Sequence, residues 1–581
     1  MGFFGKKDSD AVVEPVVENN DTGSGDDKIN TSEQTSEVNF GEKQEGVKRV
    51  EALASVWTKR DLIASYVLIW FIYLATSAAE VITRSLNPNV TSAFGKHSLS
   101  AGVTVVSSII GGLTKLPLAK ALDLWGRPQG LALMLLVWVI GYILTASAQT
   151  IETYAAANVF TAVGAQGVSY CVTVFIADTS SLAMRPLMLA IATSPYIITT
   201  FIGGPVADLI IAPGGPGWRW GFGIWTIIVP VFVAPLIGLF MWHTHRAKQM
   251  GLIQPRGKVT LGGVKKFCVD IDLFGLLLLA TGMTLFLLPF NIYSYQAEKW
   301  KSPLIICFLV FGFVLLVCFA VWERFFAPVT FVPFKLLLDR TVFFGGLTFT
   351  FVFANSMIWN GFFFSMLQVV WNTGIRNAIY ISNIYRVGSC FAPLITGYFT
   401  YRTGRFKWVA TLYGIPLMLL AVGLMIHFRQ ASQDIGYIVM TQIFVAFAGG
   451  PIVVAGEMAM MAPSDHQHIA VIIAILDLFS SIGWAIGGSV SSAIWTGTFP
   501  KELAKRLPAD APLMQIYSSL PIQLSYPFGS PTRDAINDAY SASQRYMLTT
   551  SICLLAVAWG CSWLWRDINI KKRKQVEGVV A

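Results

Sequence analysis

Several ionisable residues lie inside long apolar stretches of this chain, where a charge is costly and therefore marks a functional candidate. Asp477 and Arg386 each fall near the middle of such a stretch and could form a charge pair between helices. Glu80 and Arg84 are four residues apart, a spacing that places both on one face of a helix. Glu457 lies near the end of another stretch. The three carboxylates are candidates for binding and releasing a proton, and a structural ion pair is the alternative for each.

Membrane-spanning helices are the elements that must position these side chains. Hydrophobic residues make up 54% of the 581 residues and charged residues only 13%, against about one quarter charged in an average soluble domain. About fourteen apolar runs between Asp61 and Trp565 are each long enough to cross a bilayer as a helix. The sequence therefore predicts an all-α membrane protein and excludes a soluble one.

The spans are numbered in chain order, and each is expected to be a single helix. Basic residues are concentrated in the connections that face the cytosol when the N-terminus is inside, so both termini are predicted to be cytosolic. The net charge of +9 reflects these loops and tails, and no nucleic-acid partner is expected. The predicted spans are 61–83, 99–122, 129–149, 153–177, 187–211, 219–242, 272–291, 302–322, 342–367, 376–400, 406–427, 435–460, 468–496 and 547–566.

A short pattern occurs twice, each time at a cytosolic helix end that is followed at once by another span. Residues 119–127 read Ala-x-x-x-Asp-Leu-Trp-Gly-Arg, and residues 397–405 read Gly-x-x-x-Tyr-Arg-Thr-Gly-Arg. Glycine allows a tight turn, an acid can accept hydrogen bonds from a helix N-terminus, and arginine anchors at the anionic membrane surface. The residues assigned to this gating motif are Asp123, Gly126, Arg127, Gly397, Arg402, Gly404 and Arg405.

The repeat places spans 1 to 6 and 9 to 14 as corresponding halves, with spans 7 and 8 as an inserted pair. The N-terminal segment is polar and acidic, lacks the apolar core of a signal peptide, and is expected to be disordered. The predicted organisation is a cytosolic tail at 1–60, a six-helix bundle at 61–242, a basic cytosolic linker at 243–271, the inserted pair at 272–322, a cytosolic connector at 323–341, a six-helix bundle at 342–566 and a basic cytosolic tail at 567–581.

The repeated pattern resembles the G-x-x-x-D-R-x-G-R motif that the major facilitator superfamily carries between helices 2 and 3. Ala119 replaces the first glycine, Leu124 replaces the basic residue, and Tyr401 replaces the acid of the second copy. The resemblance implies a major facilitator fold of two rocking bundles, with the substrate site near the midplane between them.

Four further segments closely resemble the fungal siderophore–iron transporters of that superfamily. They are LSYPFGSPTRDAINDAY at 524–540, FIADTSSL at 175–182, SPYIITTFIGGP at 194–205 and SMLQVV at 365–370. The resemblance implies proton-coupled import of ferric hydroxamate chelates. Such a chelate carries iron in its own oxygen ligands, so neither a cofactor nor a protein metal site is expected, and His466 and His468 are interpreted as loop or helix-cap residues.

A bulky, roughly neutral chelate needs a wide cavity with aromatic and amide walls. The outer halves of spans 9 and 10 carry such side chains, although packing or lipid contact is the ordinary role of aromatic residues in membrane helices. The substrate-cavity candidates are Asn355, Trp359, Asn360, Phe363, Gln368, Tyr380, Asn383 and Tyr385.

The segment 497–546 is too long for a simple external connector, and its length suggests a function. We expect a lid or capture element, with Tyr526, Arg533 and Tyr540 as its candidate residues, and a structural plug is the alternative. The strings KELAKRL and TRDAINDAY are expected to form short helices over the external mouth.

No phosphate-binding loop, nucleophile elbow or zincin motif occurs, so we expect neither ATP-driven transport nor an enzyme. The expected partners are a ferric siderophore, protons and the bilayer, and the chain is expected to be a monomer in the plasma membrane or endocytic vesicles. Two alternatives stay open. One is proton-driven exchange or export of a thiol peptide, haem or drug, which Gly203-Gly204-Pro205 partly fits; the other is a transceptor that signals through its tails.

Overall fold

The computed structural model describes residues 57–93, 100–181, 184–211, 214–251, 261–293, 296, 298–328, 337–463 and 469–572. These residues are mostly helical and contain no β-strand. Eleven of their helices are long and apolar enough to cross a membrane. The helices Ser100–Trp125, Leu273–Leu287 and Ile375–Thr403 occupy the three remaining predicted spans, so the fourteen-helix, all-α architecture is confirmed.

We number these helices α1 to α14 after the spans that they occupy. Helices α5, α6, α9 and α11 each consist of two consecutive segments, the first segment of α11 being a π-helical turn. The bounds are α1 Lys59–Ala93, α2 Ser100–Trp125, α3 Arg127–Ser147, α4 Ile151–Thr179, α5 Arg185–Thr193 and Pro195–Ile211, α6 Gly217–Gly223 and Trp225–Gln249, α7 Leu273–Leu287, α8 Pro303–Phe325, α9 Arg340–Asn360 and Phe363–Val370, α10 Ile375–Thr403, α11 Val409–Gly414 and Ile415–Phe428, α12 Ile435–Met461, α13 Ile469–Arg506 and α14 Pro531–Trp563.

The helix pairings of the first six helices recur eight helices later. Helix α1 contacts α5 and α6, α3 contacts α4 and α6, and α2 contacts α4. Correspondingly, α9 contacts α13 and α14, α11 contacts α12 and α14, and α10 contacts α12. The chain therefore contains two six-helix bundles of one architecture, the first bundle α1–α6 and the second bundle α9–α14. Helices α7 and α8 pack on each other, and α7 also contacts α2 and α13.

The two bundles meet where α2 packs on α13 and where α5 packs on α10. Small residues allow this approach, since a Cβ atom on Gly112 of α2 would overlap the Ser481 hydroxyl of α13. We call the end of the bundles at which α2 passes into α3, and α10 into α11, the motif end.

The prediction that KELAKRL and TRDAINDAY form separate short helices is wrong. Helix α13 continues to Arg506, and α14 begins at Pro531, so these strings extend the two spanning helices. The extension forms because Phe499 and Leu503 are fully buried in a cluster with residues of α14. Two short helices connect α13 to α14, Leu513–Ser518 and Leu520–Ser525.

Three predictions fall partly or wholly on residues that the structure leaves undescribed. The tail 1–60 lies outside the described residues up to position 56, and so do His466 and His468. The backbone of Asp123 lies in the last turn of α2, but its side chain is outside the described set.

Candidate functional site

A central cavity of about 550 Å³ lies between the two bundles. Helices α1, α2, α4 and α5 line it from the first bundle, and α9 to α13 line it from the second. Its volume falls in the range of small-molecule sites, about 300 to 1,000 Å³. The walls combine aromatic rings and hydroxyl groups with six charged side chains, namely Glu80, Arg84, Lys115, Arg386, Glu457 and Asp477.

Glu80 shares its carboxylate between two arginines. Its Oε1 atom lies 2.7 Å from Nη2 of Arg386 and 2.9 Å from Nη2 of Arg84. The first contact crosses from α1 to α10 and therefore joins the two bundles, whereas the second stays within α1. The Arg386 guanidinium also lies 5.3 Å from the centre of the Tyr196 ring. This cluster closes one side of the cavity with a polar contact between bundles.

Asp477 forms the second ion pair between the bundles, and its partner is Lys115. Oδ2 of Asp477 on α13 lies 3.2 Å from Nζ of Lys115 on α2. From the rise of 1.5 Å per residue, Lys115 lies about 15 Å nearer the motif end than Glu80 does. The two ion pairs therefore lie at different depths along the bundles.

The predicted pair between Asp477 and Arg386 is wrong. Helix α13 starts at the motif end and α10 starts at the opposite end, so a position early in each helix falls at a different depth. Lys115 was not among the predicted site residues, yet its side chain lines the cavity and is only 12% exposed. An intramembrane lysine facing the bundle interior was the available sequence signal.

Glu457 lines the cavity close to the C-terminal end of α12. Among the described residues, none forms an ion pair or a hydrogen bond with its side chain. All three candidate acids thus face one cavity, and Glu457 differs from the others because no cation neutralises it there.

Three of the aromatic and amide candidates also line the cavity, namely Trp359, Asn360 and Tyr385. The rings of Trp359 and Tyr385 meet edge to face, with their centres 5.7 Å apart. The other five candidates lie elsewhere. Asn355 accepts a hydrogen bond from Ser551, the ring of Tyr380 lies 6.1 Å from that of Phe201, Asn383 donates to the carbonyl of Ile379, and Phe363 and Gln368 are buried in the second segment of α9.

Helix α9 breaks beside the cavity, at Gly361 and Phe362, where Phe362 adopts a left-handed φ of 58°. Arg429 donates to the carbonyl of Trp359 at 2.6 Å, and Gln544 donates to the carbonyl of Gly361 at 2.8 Å. Burial lowers the pKa of Arg429 to about 9. The freed carbonyls of the break are thus satisfied by side chains from beyond α11 and from α14. The Asn-Gly pair at 360–361 was the sequence signal for this break.

The two copies of the repeated motif find different partners. Gly126 links α2 to α3 with a φ of 92°, and Nε of Arg127 donates to Oδ2 of Asp178 at 3.0 Å. Asp178 lies on α4 and was not among the predicted site residues. In the second copy, Gly404 has a φ of 72° and Arg405 pairs with Asp567 at 3.1 Å.

The remaining motif residues are placed by backbone contacts. The carbonyl of Arg402 accepts a hydrogen bond from Nζ of Lys571 at 2.9 Å. A Cβ atom on Gly397 would lie 3.5 Å from the backbone of Pro186 and Leu187, at the contact between α10 and α5.

The candidates in the segment 497–546 pack inside it and do not line the central cavity. Arg533 is 1% exposed and donates to the carbonyls of Val369, Gln523 and Tyr526 at 3.0, 2.6 and 3.2 Å. The hydroxyl of Tyr540 donates to Oε1 of Gln523 at 2.8 Å. These contacts join the α13–α14 connection to the end of α9.

No group of three His, Cys, Asp or Glu side chains among the described residues is placed to hold a metal ion. The polar groups that line the cavity are two carboxylates paired with cations, the carboxylate of Glu457, which is unpaired among the described residues, and hydroxyl and amide groups.

Comparison with known proteins gives a consistent family. A family model described as Major Facilitator Superfamily matches residues 69–488. The chain is 47% identical to MFS siderochrome iron transporter 1 of Ajellomyces capsulatus over 92% of both chains. It is 40% identical to MFS siderochrome iron transporter D of Aspergillus fumigatus, over 93% of this chain and 90% of the relative. It is 36% identical to siderophore iron transporter mirB of Emericella nidulans, over 98% and 95%.

Solved structures share the fold at low identity. The human organic anion transporter MFSD10 superposes with a TM-score of 0.51 at 10% identity, over 84% of this chain and 98% of that one. A bacterial homologue of the human lysosomal transporter Spinster, inward-facing and occupied, gives 0.50 at 14%, over 87% and 97%. These similarities concern the arrangement of helices alone.

Proposed function

We propose, because the chain belongs to the major facilitator superfamily and within it to the siderochrome iron transporters, that it carries ferric siderophores across a fungal membrane. We further propose that the cargo is a hydroxamate-type chelate and that it enters together with protons by alternating access. The membrane is the plasma membrane in this proposal, and both termini face the cytosol, with the motif end inside.

The proposed mechanism rests on one observation. Two ion pairs join the two bundles, at different depths of the cavity that all three candidate acids line. Glu80–Arg386 lies toward the proposed outer end, and Lys115–Asp477 lies toward the motif end. Alternating access requires contacts between bundles that break at one level while they hold at the other. The two pairs provide such contacts.

Protonation is the event that would break each pair. Two unit charges about 4 Å apart attract by about 4 kcal/mol at an effective dielectric of about 20. A proton on Glu80 removes that attraction and favours opening outward, so that the chelate can enter. Transfer of the proton to Asp477, with Glu457 as an unpaired acceptor nearby, then releases the contact at the motif end. A potential of about 100 mV supplies about 2.3 kcal/mol per proton for this cycle.

The charge of the cavity supports a neutral cargo. Its three acidic side chains balance its three basic ones, so a fully ionised cavity has no formal net charge. A ferric ion bound by three hydroxamate groups is also formally neutral, whereas a ferric tris-catecholate carries three negative charges. A trianion would meet no compensating excess of cations here, which favours the hydroxamate class.

Exchange or export of another solute is the competing function. Its sequence support, Gly203-Gly204-Pro205, has a packing explanation, since a Cβ atom on Gly203 would overlap Val81 of α1. Among the residues that the structure describes, no contact favours the transceptor alternative over transport.

Uptake of radioiron tests the proposal. The chain would be expressed in yeast that lacks its own chelate importers, and single chelates of the hydroxamate and catecholate classes would be supplied. We expect hydroxamate iron to accumulate faster in acidified medium and to stop with an uncoupler. Accumulation that does not depend on the proton gradient would refute proton coupling. Outward movement of the chelate from loaded vesicles would favour the exporter.

A further inference from the structure

The last described segment of the chain, Leu564–Lys572, lies against the motif end of the second bundle, and we call it the strap. Trp565 and Ile570 are each 1% exposed, so the strap is anchored by burial of two large apolar side chains. Nζ of Lys407, at the start of α11, donates to the carbonyls of Trp563 and Trp565 at 2.9 and 2.7 Å. The first residues of the predicted basic tail, up to Lys572, are therefore packed against the second bundle.

The strap binds the connection between α10 and α11, which carries the second motif copy. The amide of Ile570 donates to the carbonyl of Gly404 at 2.9 Å. Oδ2 of Asp567 lies 3.1 Å from Nη1 of Arg405. A Cβ atom on Gly404 would lie 2.5 Å from Oδ1 of Asn569, so the glycine allows the strap to approach.

The strap also binds the beginning of α9. Nη1 of Arg566 lies 3.2 Å from Oδ2 of Asp339, and Nε of Arg340 donates to the carbonyl of Leu564 at 2.7 Å. The backbone amide of Arg566 donates to the Thr341 hydroxyl at 3.2 Å. Three elements of one bundle, α9, α14 and the α10–α11 connection, therefore meet at this segment.

The two motif copies differ in where the carboxylate for their final arginine originates. Arg127 is paired with Asp178 of α4 inside the first bundle. The counterpart of α4 is α12, whose last turn, Met458–Met461, contains no acid. Tyr401 also stands at the position that an acid occupies in the first copy. Among the described residues, the strap alone supplies a carboxylate to Arg405.

We propose that Asp567 is a positioning residue, which supplies to Arg405 the carboxylate that Asp178 supplies to Arg127. The strap thereby holds the α10–α11 connection to α9 and α14, so that the second bundle moves as one body during the transport that the proposed function requires. The effect acts on the rate of the conformational change and not on the cavity, because no strap residue lines it.

The exposure of the ion pair makes the test practicable. The side chains of Arg405 and Asp567 are 61% and 43% exposed, and exposed pairs contribute little to folding stability. Asp567→Asn should therefore leave the amount of folded protein unchanged. The maximal uptake rate per molecule should fall about two- to fivefold, with an unchanged KM for the chelate.

Reversing both charges distinguishes a requirement for the ion pair between Arg405 and Asp567 from a general effect on packing. Asp567→Arg and Arg405→Asp should each slow uptake, and the double variant should regain most of the loss. Truncation after Lys572 serves as the matched control and should transport like the full chain, whereas truncation after Trp565 should be slow. A double variant no faster than either single one overturns the proposal.

Hydrogen–deuterium exchange provides a readout that does not depend on transport. In Asp567→Asn, the amides of residues 402–408 should exchange faster, while those of residues 122–128, in the first motif copy, should not change. If residues 402–408 exchange at the same rate in the variant and in the unmodified chain, the proposed role of the strap is refuted. If the full chain shows no uptake of any chelate, the proposed function fails, and the exchange result still decides the strap.

Discussion

Glu80 is paired with two arginines, and replacing them one at a time should have effects of different size. One contact crosses between the bundles, and the other does not. The Arg386 side chain is 11% exposed and lies on α10, opposite Glu80 of α1. The Arg84 side chain is 56% exposed and lies one turn from Glu80 on the same helix. Only the loss of the first contact should weaken closure of the cavity at this end.

The magnitudes follow from burial. Removing one partner of a fully buried ion pair costs about 3 to 5 kcal/mol. Glu80 is partly exposed, so we expect Arg386→Gln to shift the closed-to-open equilibrium by about 1 to 3 kcal/mol, or about 5- to 150-fold. An exposed pair one turn apart is worth about 0.3 to 0.5 kcal/mol, so Arg84→Gln should shift the equilibrium less than about threefold.

Thiol labelling of the cavity measures this equilibrium. Ser356 lines the cavity, and Ser356→Cys in a chain without its other cysteines provides a single reporter. An impermeant maleimide added to intact cells should react about 5- to 150-fold faster in Arg386→Gln and nearly unchanged in Arg84→Gln. Labelling from inside-out vesicles should not accelerate in either variant. Equal acceleration in the two variants, or none in Arg386→Gln, refutes the role of this pair in closing the cavity.

Three further results are expected. Asp477→Asn leaves Lys115 without its carboxylate and removes a proton-binding group, so radioiron uptake should no longer rise in acidified medium; a normal acid response would contradict this. Trp359→Ala removes an aromatic wall of the cavity, and competition between chelates should show a changed order of preference at an unchanged protein level, whereas an unchanged order would place the ring outside the binding surface. Arg533→Ala removes the donor that reaches the carbonyls of Gln368, Val369, Gln523 and Tyr526, and we expect the free energy of unfolding to fall by about 3 kcal/mol with an unchanged KM; a normal melting temperature would show that water replaces the guanidinium.

Hydropathy and the repeated motif predict the number and order of the helices, because spanning a bilayer imposes length and composition on every segment. They also predict where along its own helix each charged residue lies, since position follows from the rise along a helix, but not the depth at which that residue meets a neighbouring helix. They do not predict which helices face each other. For this reason Asp477 was assigned Arg386 as a partner, although Lys115 of a neighbouring helix binds it.

Features that several distant segments build together could not be predicted from the sequence, for the same reason. The extension of α13 beyond its apolar run depends on the packing of Phe499 and Leu503 against α14. The local sequence around these two residues does not indicate that contact. The sequence assigned residues 567–581 to a basic cytosolic tail on the strength of their lysines and arginines. The two buried anchors of the strap, Trp565 and Ile570, belong to a hydrophobic cluster that only the folded chain brings together.

The two ion pairs at separate depths also have a consequence for ion leakage across the membrane. In the proposed cycle one of the two contacts is always intact, so no open channel joins the interior to the medium and ions cannot flow through the protein and dissipate the membrane potential. A chain that lost Arg386 and Lys115 together would have no such interlock, and its expression should depolarise the host and slow its growth even when no chelate is present.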